Sequence, residues 1–228
     1  MLSNLGKKYN TDKVEHGFTN IYENILNQYK EDEFNFLEIG VFYGSSIKMW
    51  NEYFTKAKLY AADYYKGVNG NKSSFENPEK FVHEVNNNKD LYDRVNIVYL
   101  NQANEQELID FRNKCLTENT KFKVILDDGS HLMKDQQLTF YHLFDVLESG
   151  GIFIMEDTHT SEDLNGYDVL PDKSNSTKQM FLHMKNGGEL NSIYFNHSEK
   201  CREITSLIDK IEHYKVKENS ETTIIYKK

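Results

Sequence analysis

The feature that most constrains the fold is a regular alternation of short apolar runs with longer segments of helical periodicity. The apolar runs predict buried strands at residues 34–39, 58–62, 95–100, 123–126 and 152–155. The segments between them predict helices at residues 45–54, 78–87, 105–116 and 134–147, and the polar residues 64–77 predict an exposed loop. Because strands that alternate with helices pair in parallel and are covered on both faces, the pattern predicts an α/β fold.

The two ends of the chain complete this architecture. An amphipathic helix is predicted at residues 18–29, and helical segments are predicted up to about residue 207. Strands at residues 211–216 and 222–226 are joined by a polar turn and predict an antiparallel hairpin. The total is a mostly parallel, seven-stranded sheet. A chain of 228 residues accommodates this as one domain, with an N-terminal segment at 1–30, a core at 34–160 and a substrate-side part at 161–228.

Composition excludes several function classes. The net charge is −9, and an acidic chain without a basic stripe is a poor ligand for nucleic acid. The pairs Lys7-Lys8 and Lys227-Lys228 are expected to be solvated tails. The two cysteines match no metal-binding spacing, and no apolar run is long enough to span or insert in a membrane. Without a secretory signal at residues 1–13, a cytoplasmic location is expected.

The ends of the first two strands predict a ligand site, because ligands bind beyond the carboxyl ends of the strands in open parallel sheets. The first strand ends at Gly40 and continues through Gly44, so the backbone can approach a ligand closely. Ser45 or Ser46 is expected to cap the following helix. Asp63, at the end of the second strand, is suitably placed for the hydroxyl groups of an adenosine ribose.

The ends of the fourth and fifth strands carry the more specific signal, in the segments DDGSH (127–131) and EDTHTS (156–161). If these strands are neighbours, Asp128, Glu156 and Asp157 converge at one edge of the sheet. Carboxylates gathered so closely repel each other unless a cation joins them, and oxygen ligands suit Mg²⁺. His131 lies on the same turn as Asp128, and its ordinary pKa suits a general base near neutral pH.

Taken together, four segments resemble a known family: FLEIGVFYGSSIKMW, YAAD, VILDDGSH and GGIFIMEDTHTS. Their order is similar to that of the class I S-adenosylmethionine (SAM) methyltransferases, which have a Rossmann-like, doubly wound sheet. More narrowly, it resembles the metal-dependent sugar O-methyltransferases of macrolide biosynthesis and of bacterial surface-glycan (capsule) biosynthesis. The opening KKYNTDKVEHGFTNIYENIL also resembles the segment that covers the cofactor in those enzymes.

This resemblance implies a role for each matched residue. Asp63 matches the ribose ligand, Asp128, Glu156 and Asp157 match the Mg²⁺ ligands, and His131 matches the base, with Asp128 also catalytic. The residues expected around the rest of the cofactor are Thr11, Lys13, Glu38, Gly40, Tyr43, Gly44, Ser45, Gln102 and Asp127. Within this set, Gln102 matches a position near the adenine and Asp127 a position beside the sulfonium.

The function implied by the resemblance is O-methylation of a sugar or nucleotide-sugar with SAM as donor and Mg²⁺ as a second cofactor. The sequence leaves open whether copies of the chain form a homo-oligomer. It also leaves three other functions open. These are a metal-independent methyltransferase acting on a phosphoramidate or carboxylate, a nicotinamide dehydrogenase, and a non-catalytic nucleotide-binding or scaffold protein. The absence of G-x-G-x-x-G argues against the dehydrogenase.

Overall fold

Seven strands form a mixed sheet, which confirms the predicted α/β fold. The computed structural model describes residues 1–67, 79–162, 168, 173–196 and 198–228. The predicted loop at residues 64–77 and Pro78, the expected start of a helix, therefore lie largely outside the described residues. The strands are β1 Asn35–Ile39, β2 Lys58–Asp63, β3 Val95–Tyr99, β4 Phe122–Asp127, β5 Leu147–Glu156, β6 Ile208–Lys217 and β7 Ser220–Lys227.

The chain divides into two compact units, of which the first comprises Met1–Asn101. Its strands β1, β2 and β3 are parallel, and β2 pairs with both of the others. Its helices are α1 Leu2–Tyr9, α2 Phe18–Leu26, α3 Ser45–Tyr53 and α4 Lys80–Asn87. The core is rich in aromatic rings: Trp50 of α3 packs against Tyr22, Phe36 and Phe54 with ring centroids 5.2–6.2 Å apart.

The second unit comprises Gln102–Lys228. β4 and β5 are parallel, β7 lies antiparallel to β5, and β6 forms the predicted hairpin with β7. Its helices are α5 Glu105–Thr117, α6 Met133–Leu143, α7 Thr177–Lys185 and α8 Ser198–Leu207. Asn104 and Ser176 cap α5 and α7 with side-chain oxygens. Helix α6 is buried along its whole length, including the polar residues Asp135, Gln136 and Gln137.

Neither lysine pair forms a tail, although Lys7 and Lys8 are exposed to solvent as expected. Leu2 and Leu5 are buried, so the chain begins with helix α1, and Lys8 of that helix pairs with Glu52. At the other end, Lys227 lies in β7 and donates hydrogen bonds to the carbonyls of Phe144 and Leu147. Helix α1 has few apolar side chains. It forms nevertheless, because it packs against α3.

Two local predictions also differ from the structure. Gly44, not Ser45 or Ser46, is the N-cap of α3, because the turn reaches the helix in a left-handed conformation. The fifth strand, predicted at residues 152–155, is longer in the structure. Gly150 and Gly151 lie within β5, which begins at Leu147 and shifts register against β4 near this point. Among the described residues, none of the helices has the length and hydrophobicity needed to cross a bilayer.

Candidate functional site

The glycine-containing turn of the first unit follows β1 and takes backbone conformations that favour glycine. Gly40 has a φ of 90° and Gly44 a φ of 78°. A Cβ atom at Gly44 would lie 2.1 Å from the ring of Phe81 on α4, so packing also requires a glycine here. From the sequence, we expected these glycines to let a ligand approach the backbone closely. At Gly44, the structure adds a second reason for glycine, the packing of Phe81 against it.

Asp63, at the end of β2, holds this turn through its carboxylate. One oxygen, Oδ2, accepts hydrogen bonds from the backbone N–H groups of Val41 at 2.7 Å and Phe42 at 3.1 Å. The other, Oδ1, accepts from the N–H of Tyr65 at 2.8 Å. The ribose role of Asp63 stays a prediction, and a ribose at this position would share the carboxylate with these backbone donors.

The turn also presents aromatic side chains. The rings of Phe42 and Tyr43 lie 4.1 Å apart, and the two residues are 58% and 40% exposed. Phe42 has a left-handed backbone with a φ of 53°, which is uncommon for a large side chain. Ser45 is half-buried at the first position of α3. Tyr43 and Ser45 therefore lie on the turn expected to surround the methionine part of the cofactor.

A buried ion pair lies near the start of the chain. Nζ of Lys13 is 3.4 Å from Oε1 of Glu38 on β1, and the side chains are 1% and 0% exposed. Thr11, which is also buried, immediately precedes the 3-10 turn that contains Lys13. Two charges removed from water need close partners, so this pair fixes the N-terminal segment against β1. The cofactor-covering role of Thr11 and Lys13 stays a prediction.

In the second unit, the two acidic turns come together at the carboxyl ends of β4 and β5. Asp127 pairs with Met155 in the parallel register, so the residues that follow each strand are neighbours. Nε2 of His131 lies 3.9 Å from Oδ1 of Asp128 and 3.9 Å from Oδ2 of Asp157. All three side chains are partly exposed, at 16–21%. The structure therefore brings together Asp128, Asp157 and His131.

Glu156 does not join this cluster. Among the described residues, the group of possible metal ligands within 4.8 Å of one another consists of Asp128, His131 and Asp157. Glu156 is the last residue of β5, is 2% exposed and pairs with Thr222 of β7. Asp157, by contrast, follows the strand with a left-handed backbone (φ of 53°), and this change of backbone conformation separates the two side chains. The metal role of Glu156 stays a prediction.

One further histidine, which sequence reasoning gave no role, lies beside the cluster. Nδ1 of His159 is 3.9 Å from Oδ1 of Asp157. The only sequence signal for this contact is that His159 lies two residues after Asp157 in EDTHTS. In a turn, that spacing does not predict whether two side chains meet.

Gln102 and Asp127 form a buried hydrogen-bonded network beneath the cluster. Nε2 of Gln102 lies 2.8 and 2.7 Å from the two carboxylate oxygens of Asp127 and 3.0 Å from the hydroxyl of Thr139. Oε1 of Gln102 accepts from the N–H of Ser130 at 2.8 Å. A Cβ atom at Gly129 would lie 2.2 Å from this oxygen, so a larger residue there would displace the amide of Gln102.

This network fixes Gln102 and Asp127 in the interior of the second unit. Burial raises the pKa of Asp127 to about 7, although the hydrogen bonds from Gln102 and Gly129 favour its ionised form. The amide of Gln102 is fully used by Asp127, Thr139 and Ser130. The expected contacts of Gln102 with adenine and of Asp127 with the sulfonium stay predictions, and the geometry favours a structural role for Gln102.

The cluster has the chemistry of a divalent-cation site. Two carboxylate oxygens suit Mg²⁺, and ligand atoms on opposite sides of that ion lie about 4.2 Å apart. Asp128 and Asp157 each offer one such oxygen, and these two atoms lie within 4.8 Å of each other. An imidazole nitrogen is a less usual ligand for Mg²⁺ than for transition metals, which leaves His131 available as a base. The residues therefore fit a Mg²⁺ held by Asp128 and Asp157.

The substrate-side part was expected to begin at residue 161, and its residues 163–167 and 169–172 lie outside the described residues. Asp168 accepts hydrogen bonds from the N–H of Met133 at 2.7 Å and from the hydroxyl of Ser161 at 2.9 Å. Asp168 and Ser161 therefore lie next to the start of α6.

No protein-family model matches the chain. Curated relatives do. Over 169 residues it is 26% identical to an 8-demethyl-8-(2-methoxy-alpha-L-rhamnosyl)-tetracenomycin-C 3'-O-methyltransferase of Streptomyces olivaceus. Over the same length it is 27% identical to an L-olivosyl-oleandolide 3-O-methyltransferase of Streptomyces antibioticus. Each match covers 70% of this chain and 37% or 38% of the relative, so the chain spans well under half of these proteins.

Solved structures show the same fold. The MycE methyltransferase of the mycinamycin biosynthetic pathway, in complex with Mg, SAH and mycinamycin VI, matches with a TM-score of 0.69 and 20% identity. The match covers 99% of this chain and 54% of that one. An archaeal fibrillarin from Methanococcus jannaschii matches with a TM-score of 0.51 and 13% identity. The chain thus has the fold of the class I methyltransferases.

Proposed function

We propose that this chain is a SAM-dependent O-methyltransferase that methylates a sugar hydroxyl with the help of Mg²⁺. The observation that carries the proposal is the cluster of Asp128, His131 and Asp157 on a fold of the class I methyltransferase type. Two kinds of relative support it. The curated relatives are named as O-methyltransferases of glycosylated natural products, and the MycE structure contains Mg and SAH.

The first unit is proposed to bind the methyl donor. The turn from Gly40 to Ser45 would hold the methionine part, and Asp63 the ribose. Glu38 and the segment from Thr11 to Lys13 would fix the cofactor from the N-terminal side. The buried Lys13–Glu38 pair supports this, because it gives the turn after β1 a rigid base.

The second unit is proposed to bind and activate the acceptor. Asp128 and Asp157 would hold Mg²⁺, with Glu156 as a third ligand once its side chain turns toward the cluster. Bound there, the ion would lower the pKa of a sugar hydroxyl and fix its position. Nε2 of His131 faces both carboxylates and is the atom proposed to accept the hydroxyl proton. The deprotonated oxygen then takes the methyl group of SAM, and the neutral thioether leaves.

Simultaneous binding of donor and acceptor would also accelerate the reaction. A donor and an acceptor held together lose the entropy cost of a bimolecular encounter, which contributes up to about 7–11 kcal/mol. The finer assignment, to a sugar or nucleotide-sugar of a bacterial surface glycan, belongs to the same proposal. The named relatives act on antibiotic glycosides, so both acceptor classes enter the test.

The test is transfer of labelled methyl from SAM to a panel of deoxysugar glycosides and nucleotide-sugars, with Mg²⁺ or with excess chelator. Substituting His131→Ala is expected to lower turnover by about 10²–10⁴-fold with little change in SAH binding. The control is His83→Ala, which removes an exposed histidine on α4. Full activity in chelator would reject the metal and favour a metal-independent methyltransferase. Unchanged turnover in His131→Ala would reject the base.

A further inference from the structure

Two residues of the cluster have strained backbones. His131 has a φ of 58° and Asp157 a φ of 53°, both in the left-handed region that residues with a Cβ atom seldom adopt. A residue in this conformation persists only where surrounding contacts hold it. Those contacts should therefore reveal what fixes the cluster.

Thr160 contacts both strained residues at once. Its hydroxyl lies 2.8 Å from the carbonyl oxygen of His131 and 2.9 Å from the carbonyl oxygen of Asp157. The N–H of Thr160 also donates to the carbonyl of Asp157, at 3.2 Å. At 6% exposure the hydroxyl is shielded from water that would compete for these acceptors. One donor thus joins the turn after β4 to the turn after β5.

Helix α6 supports the same two turns from the other side. Asp135 accepts a hydrogen bond from the hydroxyl of Ser130 at 2.7 Å, next to His131. The side-chain amide of Gln136 donates to the carbonyl of Glu156 at 3.0 Å, next to Asp157. Both side chains are almost fully buried, at 3% and 1% exposure. Each turn therefore has its own hydrogen bond to α6, and the hydroxyl of Thr160 bonds to both turns.

We propose that Thr160 is a positioning residue that holds the turn carrying Asp128 and His131 at a fixed separation from the turn carrying Asp157, and so tunes cation binding by the two carboxylates. The cation part of this inference rests on the proposed function; the effect on the two backbones does not. Loss of the shared hydroxyl would free either turn to relax out of its left-handed conformation. His131 and the carboxylate of Asp157 would then separate without any change in the residues that meet ligands.

The test uses the full chain with Thr160→Val, which removes the hydroxyl at nearly constant shape, and Thr160→Ser, which restores it. The control is Thr205→Val on α8, whose hydroxyl bonds to Cys201 and Leu190 and to neither turn. Two readouts are measured on each variant. The ¹³Cα and ¹³Cβ chemical shifts of His131 and Asp157 report their backbone conformation, and electron paramagnetic resonance reports the affinity for Mn²⁺.

Thr160→Val is expected to move both sets of shifts away from the left-handed values and to weaken Mn²⁺ binding by about 10–100-fold. Thr160→Ser and Thr205→Val should match the unmodified chain in both. Unchanged shifts in Thr160→Val would overturn the proposal. Changed shifts with unchanged Mn²⁺ affinity would overturn its cation part.

The two proposals fail separately. Absence of Mn²⁺ binding in the unmodified chain, with changed shifts in Thr160→Val, would refute the metal-dependent function and leave the backbone role of Thr160 standing. Should Thr160→Val not fold, the unmodified chain gives the answer. The hydroxyl proton of Thr160 is then expected to exchange slowly enough to be seen by NMR, and rapid exchange would overturn the proposal.

Discussion

Replacement of Gln102 by leucine tests the buried network beneath the cluster. Leucine has a similar volume and no hydrogen-bonding group. The change removes the donor that lies 2.8 and 2.7 Å from the carboxylate oxygens of Asp127 and the acceptor that lies 2.8 Å from the N–H of Ser130. Asp127 keeps only the N–H of Gly129, at 3.2 Å.

The expected cost follows from the groups left behind. Each buried donor or acceptor that loses its partner costs about 1–3 kcal/mol, and a charged group costs more. Setting aside the longer 3.0 Å contact with the hydroxyl of Thr139, the two remaining groups, Asp127 and the N–H of Ser130, give a loss of about 2–6 kcal/mol in the free energy of unfolding. A central value of about 4 kcal/mol lowers the melting temperature of a chain of this size by about 8–16 °C.

The assay is urea and thermal unfolding of Gln102→Leu beside the control Gln106→Leu. Gln106 is exposed on α5 and donates to Asp110, so its loss should change stability by no more than about 0.5 kcal/mol. A Gln102 variant as stable as the Gln106 variant would show that the network does not stabilise the turn. That result would favour the predicted contact of Gln102 with adenine over a structural role.

Two further predictions concern the rest of the fold. Gly44→Ala should cost about 2–5 kcal/mol in urea unfolding, from the left-handed backbone and the collision with Phe81. Gly187→Ala has the same strain but nothing within 4 Å of the added Cβ, so it should cost only about 1–2 kcal/mol; equal losses would contradict the packing argument. Burial lowers the pKa of His213, despite the nearby charge of Glu221 and with Lys178 and Lys185 adding to the effect. Because the folded pKa lies below the ordinary value, the stability that neutral His213 contributes should be level above about pH 6.5 and be lost as the pH drops below it. His213→Asn should remove part of that fall, at most about 1.4 kcal/mol between pH 6.5 and 5.5, and an unchanged pH dependence of urea unfolding would refute the assignment.

The sequence predicted the strands well because each contains a short apolar run, and the runs of β1, β2, β4 and β5 end at a glycine or an acid. It failed where few residues carry the signal. Helix α1 depends on Leu2 and Leu5 among polar neighbours, and β5 begins before Gly150 because its pairing with β4 tolerates a shift of register. Such features are decided by packing against other elements rather than by local pattern.

In the candidate site, too, the sequence predicted what strand pairing determines and missed what depends on packing between elements. Parallel pairing of β4 and β5 is enough to bring Asp128 and Asp157 together, so their spacing in the sequence was informative. The orientation of Glu156 depends on where β5 ends, and the partners of Gln102 depend on a turn and on Thr139. No spacing rule encodes a hydroxyl such as that of Thr160, which joins two turns through their carbonyl oxygens.

The central claim is that the methyl donor and the cation serve one reaction. The most direct measurement is the paramagnetic broadening of the methyl resonance of ¹³C-labelled SAM by Mn²⁺, which takes the oxygen ligands that Mg²⁺ prefers. We expect strong broadening in the unmodified chain and its loss in Asp128→Asn. A sharp methyl resonance while both SAM and Mn²⁺ are bound would contradict the account.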